Sequence, residues 1–283
     1  MAQALRIAIP LISFVLVTLV GLSLTKESFA ISLRNRRALL GGLLFPWLVV
    51  PLLGLMTAAL LPMSPDFRLG FLLLAACPTG GMANLYCLLA RAPVALSLTL
   101  TTASCLLSWA GTPALLWLFS RTSPGLSAPA VPAGVILLQA GLMLALPAAL
   151  GMALRWKFEG AVARREAWLG RLGLCGVALL LALAIASSPR NFTKSLGEAA
   201  APVALFTLGA FAGGEALGRL LRLDRDDRFA LTQQFVVRNL AVATVISVNF
   251  LGKTEYAAFA AAYFCLQTPL LLVAVGLRRR LKG

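Results

Sequence analysis

Arg238 stands inside an otherwise apolar run, 229–251. At the rise of an α-helix it lies about 15 Å from Arg228 and about 22 Å from Lys253, near the midplane of any bilayer that the run would cross. Burying a guanidinium there costs about 2.5–3.5 kcal/mol on translocon scales, so such residues face a protein interior or a water-filled cavity. A guanidinium only donates hydrogen bonds. Two chemistries are open to it: bidentate pairing with an anionic group such as a carboxylate, and capping of backbone carbonyls freed from a helix. Asn239 follows it directly and Gln234 precedes it by one turn. Both can be site residues, and both can be hydrogen-bonding glue between helices. A second polar island is Cys77-Pro78-Thr79-Gly80-Gly81-Met82-Ala83-Asn84, in the middle of the apolar run 68–90. Proline removes a backbone donor and the glycines weaken a helix, so a break is expected there. Unpaired backbone at that depth requires surrounding protein or a water-lined cavity, the arrangement transporters use to hold substrates and ions. Close packing around a proline kink is the other reading.

The elements that must position these residues are membrane helices. Of the 283 residues 60% are hydrophobic and 12% charged, which excludes an ordinary soluble domain. Nine apolar runs, at about 4–24, 37–61, 68–90, 93–119, 129–154, 168–187, 199–221, 229–251 and 256–277, are each long enough to span a bilayer. Alternating the connections places the basic clusters 34–37, 155–171, 219–228 and 278–282 on one face. Only Arg6, Arg68, Arg121, Arg190, Lys194 and Lys253 fall on the other. The positive-inside rule then sets the N-terminus outside and the C-terminus in the cytoplasm of a multi-pass protein, with a bacterial inner membrane expected. Orientation in the lipid bilayer accounts for the net charge of +15, and no nucleic-acid partner is expected. Five scattered cysteines show no metal-ligand spacing and histidine is absent, so no cofactor is expected. An enzyme is disfavoured, since Gly-x-Ser-x-Gly and paired intramembrane carboxylates are also missing. Glu215, the one acid well inside a span, is expected to pair with Arg219 one turn on.

There is an internal echo. Asn84 precedes Thr112-Pro113 by 28 residues, and Asn239 precedes Thr268-Pro269 by 29. An odd number of intervening spans would make such repeats inverted, a construction common in secondary transporters.

On these residues the chain resembles the bile acid:sodium symporter family. The likeness is carried by Cys77-Pro78 through Asn84, by 90–97 with Thr101 and Thr112-Pro113, and more weakly by 230–241. It implies an all-α integral membrane protein with nine transmembrane helices. These form two inverted repeats, about 4–120 (lacking one helix) and about 129–278, within one transmembrane domain of residues 1–283. A panel domain and a core domain are implied, with two broken helices, 68–90 and 229–251, crossing so that Asn84 and Asn239 face each other. Asn84, Ser97 and Thr101 match residues of the family's first sodium site. Ala83 replaces a liganding serine there, and Gln234 replaces a glutamate shared by both sodium ions. At the second sodium site Pro46 and Arg238 replace glutamines. Sodium takes hard oxygen ligands, whereas arginine brings only donors and a repelling charge. Two sodium ions and one carboxylate sum to the same charge as a neutral Gln234 with Arg238.

The expectation is a secondary active transporter of a small organic anion that does not use the usual two-sodium coupling. Arg238, Asn239, Asn84 and Gln234 are the candidate substrate residues, and Asn84, Ser97, Thr101 and Gln234 are those of a residual sodium site. A sodium-coupled symporter with one degenerate site is the alternative, and so is an anion channel or a non-transporting receptor, which would use the central arginine for anion selectivity.

Overall fold

The computed structural model describes residues 2–23, 25, 26, 30, 35–122, 142, 145–187, 189–247, 251 and 254–282. Among these residues the named elements are all helices: α1 (Ala2–Leu22), α2 (Arg36–Leu44), α3 (Pro46–Leu60), α4 (Pro65–Ala76), α5 (Met82–Leu89), α6 (Val94–Thr122), α7 (Leu146–Lys157), α8 (Glu159–Ala163), α9 (Glu166–Ser187), α10 (Pro189–Leu220), α11 (Arg225–Val236), α12 (Leu240–Val245) and α13 (Thr254–Lys282). Four stretches of the described residues are helical, long and apolar enough to cross a membrane: Arg36–Leu60, Val94–Arg121, Leu196–Leu220 and Phe259–Arg280. Each coincides with an expected span. The expected span 129–154 lies in large part outside the described residues.

The two runs that carry the polar islands are interrupted. Helix α4 stops at Ala76, Cys77 is extended, and α5 begins at Met82, where Pro78 withdraws a donor and Gly80 lets another backbone approach. Helix α11 stops at Val236, Val237 and Asn239 are extended, and α12 begins at Leu240. The second interruption contains neither proline nor glycine. Asn239 starts α12 by accepting a hydrogen bond from Val242 N through Oδ1 at 3.2 Å, an N-cap that asparagine makes well.

Both broken segments run through the middle of the protein. Residues 70–80 and 229–240 are buried without exception, which explains why α4 reads as apolar on every side from residue 69 onward. Phe67, Phe71, Phe206, Phe259 and Tyr263 join α4, α10 and α13 through edge-to-face ring contacts. Helix α10 packs on α11 and α13, close enough that a Cβ on Gly214 would stand 2.7 Å from Thr232 Cα. The outer helices turn aliphatic faces outward, as α3 does with Leu48, Leu52, Met56 and Leu60; such a face is at home in lipid.

A second unit is formed by α1 and α7. A Cβ on Gly21 would stand 2.2 Å from Ala148 O, and one on Gly151 would stand 2.1 Å from Thr18 O. The two backbones therefore touch, as small residues allow between membrane helices. Helix α9 packs along α1 and α13.

Candidate functional site

A helix that ends inside a protein leaves carbonyls without partners, and in a low-dielectric interior each must find a donor. Here the two interruptions supply much of what the other lacks. Gly80 N donates to Val237 O at 3.1 Å and Asn239 N donates to Pro78 O at 2.9 Å, so that Thr79 and Arg238 form an isolated antiparallel bridge. Gly80 is required by this approach, because a Cβ there would lie 2.6 Å from Arg238 O.

Side chains complete the crossing. Thr112 Oγ1 donates to Ala76 O at 2.9 Å, and Thr79 Oγ1 to Gln234 O at 3.0 Å. Ser104 Oγ accepts from Thr79 N at 3.3 Å. Val236 O accepts from Tyr263 OH at 3.1 Å and from Gln267 Nε2 at 2.8 Å. Arg238 belongs to the same set of donors. Its Nη1 donates to Cys77 O at 3.0 Å and its Nη2 to Gln234 O, while Nε has no partner among the described residues. It is 5% exposed, and none of the ion pairs among the described residues includes it. The guanidinium thus lies at the C-terminal ends of α4 and α11, where helix dipoles favour positive charge. The capping geometry anticipated for Arg238 is present in the structure.

A neutral oxygen cluster sits beside the crossing. Ser97 Oγ donates to Asn84 Oδ1 at 2.7 Å, and Gln234 Nε2 donates to Ser97 Oγ at 3.2 Å. Thr101 Oγ1 reaches Asn84 Oδ1 at 3.4 Å and Gln234 Oε1 at 3.5 Å, contacts at the outer limit of hydrogen bonding. The structure therefore brings Asn84, Ser97, Thr101 and Gln234 together. These four offer hard oxygens of the kind that cations such as calcium and magnesium take, with no carboxylate among them. Among the described residues no group of three or more His, Cys, Asp and Glu side chains could hold a metal ion.

Asn84 and Asn239 turn to separate partners. Asn84 accepts from Ser97 and Thr101, whereas Asn239 caps α12 and donates from Nδ2 to Cys105 Sγ at 3.6 Å. The Thr-Pro echo also differs in use: Thr112 caps the first interruption, but at the second that task falls to Tyr263 and Gln267, while Thr268 accepts from Tyr86 OH at 3.3 Å. Glu215 makes its closer ion pair with Arg228, at 2.9 Å, against 3.8 Å to the expected Arg219. The reason is that α11 folds back against α10 and brings Arg228 to it.

Sequence reading passed over Thr79, Ser104, Tyr263 and Gln267. One signal was present: Ser97, Thr101, Ser104, Ser108 and Thr112 recur at spacings of three or four. That spacing forms one polar stripe along α6, buried in the structure and turned to the interruptions.

A cavity of about 550 Å³ opens beside the crossing. Asn84, Arg238, Asn239 and Gln267 line it, together with an aliphatic face of α1 and residues of α7 and α9 that include Arg155, Glu166 and Arg171. Its size and its few convergent polar groups fit a small-molecule site.

The model of the sodium bile acid symporter family matches residues 9–195, a stretch that contains the first interruption. Among curated proteins, a probable chloroplastic sodium/metabolite cotransporter, BASS1, of Oryza sativa subsp. japonica is 26% identical over 82% of this chain and 56% of its own length. Its counterpart in Arabidopsis thaliana is 24% identical over 92% of this chain and 64% of its own length. An uncharacterized sodium-dependent transporter of Bacillus subtilis (strain 168), YocS, is 24% identical over 80% of this chain and 69% of its own length. The chain spans 56–64% of the length of these plant relatives. With a family match over most of the chain and a pair of interrupted helices holding a cavity at their crossing, the chain belongs to the sodium bile acid symporter family, a family of membrane transporters.

Proposed function

We propose that the protein is a secondary carrier of a small organic anion, in which Arg238 does permanently what bound sodium does in relatives. The observation that carries this reading is the position of Arg238. Its guanidinium occupies the place between two helix C-termini where a mobile cation would be expected, donates to Cys77 O and Gln234 O, and lines the cavity without an acidic partner. The positive field it throws into a low-dielectric cavity favours an anionic substrate. The amides of Asn84 and Asn239 and the backbone of Gly80 and Gly81 are the neutral groups that would orient the substrate. Two inverted repeats, nine spans and a cytoplasmic C-terminus complete the proposal, supported by the apolar runs and the asymmetry of basic residues.

The test is thermal unfolding of the purified protein in sodium chloride and in choline chloride, for wild type and Arg238→Gln. Wild type is expected to unfold at the same temperature in both salts, and the variant to be destabilised in choline. A clear sodium-induced stabilisation of wild type, together with sodium-dependent uptake, overturns the reading in favour of sodium coupling through the Asn84, Ser97, Thr101 and Gln234 oxygens.

A further inference from the structure

The sequence places Arg155 at the start of a basic connection on the cytoplasmic face. In the structure it belongs to the last turn of α7, four residues after Gly151, and is only 4% exposed. The backbone contact of α7 with α1 draws it inward, because Gly151 touches Thr18 O and Leu22 N and leaves no room for a side chain between the helices. Its Nε and Nη1 have no partner among the described residues, and only Nη2 approaches a carboxylate, Glu166 Oε2, at 3.5 Å. That distance is an ion pair rather than a good hydrogen bond, and Glu166 is 62% exposed on its side chain, so solvent screens much of the attraction.

A buried guanidinium with open donors is costly to keep unless something uses it. What Arg155 faces is the cavity, whose lining it joins together with Glu166, Arg171 and Arg238. Among the described residues three cations and one carboxylate make the lining electropositive, and Arg238 has already given its terminal nitrogens to backbone carbonyls. Both Arg238 and Arg155 are buried with an unpartnered Nε, but of the two it is Arg155 that also keeps a terminal nitrogen, Nη1, without a partner among the described residues. The same cavity is also lined by aliphatic side chains of α1, Leu16, Val17 and Val20. The complementary ligand is an anion with an apolar body.

We propose that Arg155 binds the carboxylate of the carried anion, and that Glu166 is the built-in carboxylate that the anion displaces. This rests on the reading that the cavity takes an organic anion, and adds the residue that holds the anion's charge. Arg238 is then the source of field at the crossing, and Arg155, on the unit formed by α1 and α7, is the ligand in the same cavity. Because Glu166 starts α9 and is mostly exposed, it can leave Arg155 with little rearrangement, which frees the guanidinium for a bidentate contact.

The experiment uses the full chain in nanodiscs of zwitterionic lipid. It measures by calorimetry the affinities of 3-phenylpropionate and of its neutral counterpart 3-phenylpropionamide. Wild type is expected to bind the acid about tenfold tighter than the amide, a difference of about 1.4 kcal/mol. Arg155→Gln is expected to remove that preference by weakening the acid while leaving the amide unchanged, and Glu166→Gln to tighten the acid several-fold. A preference that survives Arg155→Gln overturns the role of Arg155 and leaves the anion reading standing. A wild type that binds the two alike overturns both. If Arg155→Gln does not fold, Glu166→Gln decides: unchanged acid affinity overturns the proposal.

Discussion

Gly80→Ala tests the crossing at its tightest point. The new Cβ would lie 2.6 Å from Arg238 O, 3.0 Å from Arg238 C and 3.2 Å from Asn239 Cα, all backbone atoms with no rotamer to yield. The two segments must separate, which stretches the bond from Gly80 N to Val237 O and the bond from Asn239 N to Pro78 O. Overpacking of a buried site costs about 2 kcal/mol, and the partial weakening of the two backbone hydrogen bonds together adds about 1 kcal/mol. A loss of about 3 kcal/mol corresponds to about 6–9 °C in unfolding temperature at about 2–3 °C per kcal/mol for a chain of this size. The control is Gly81→Ala, whose Cβ would meet only Val20 Cγ2 at an ordinary 3.5 Å, and which is expected to shift the temperature by less than about 2 °C. Both variants are measured in one detergent by intrinsic fluorescence on heating. Equal unfolding temperatures for the two would refute the pairing of the interruptions as described.

Three further outcomes follow from the same contacts. Gln234→Glu places a carboxylate among Asn84, Ser97 and Thr101; it is expected to lower stability in choline chloride and to regain it in sodium chloride, read as a salt-specific unfolding temperature. Arg278 donates to Ala90 O at 3.2 Å and to Arg225 O at 2.8 Å, pairs with Asp226 and covers the ring of Phe229, so Arg278→Ala should cost about 2 kcal/mol in thermal unfolding by loosening α13 from α11. Burial raises the Asp227 carboxyl above the ordinary aspartate range, opposed by the Asn35 amide and reinforced by Asp224 and Asp226. A raised acid favours folding fully at a pH below its unfolded value and loses that contribution as pH rises through the folded value; Asp227→Asn should flatten stability against pH in that window.

Much was legible locally. The apolar runs identify membrane helices because a bilayer demands length and hydropathy that a single segment carries in itself. The interruption at 77–81 is written in Pro78, Gly80 and Gly81, which weaken a helix whatever surrounds them. The oxygen cluster of Asn84, Ser97, Thr101 and Gln234 was anticipated through family likeness and comes together in space, since Ser97 and Thr101 are one turn apart on α6.

The second interruption was different. Residues 237–239 contain no helix breaker, and what stabilises their extended backbone is the chain at 78–80, which lies remote in sequence and donates and accepts in return. The partners of Arg238 were hidden for the same reason: a composition rule shows that a charge is buried, whereas only the packed structure shows that Cys77 O and Gln234 O receive it. Arg155 looked like one loop cation among several until the contact of Gly21 and Gly151 with the opposite backbones carried it inside. By itself the sequence determined that the chain carries apolar segments long enough to cross a membrane, four of which are helical among the described residues, and that the run 68–90 gives way at 77–81, because those are properties of neighbouring residues. The tertiary structure decided which charges stay buried and what they face, because the carbonyls freed at one interruption take their donors from elements remote in sequence.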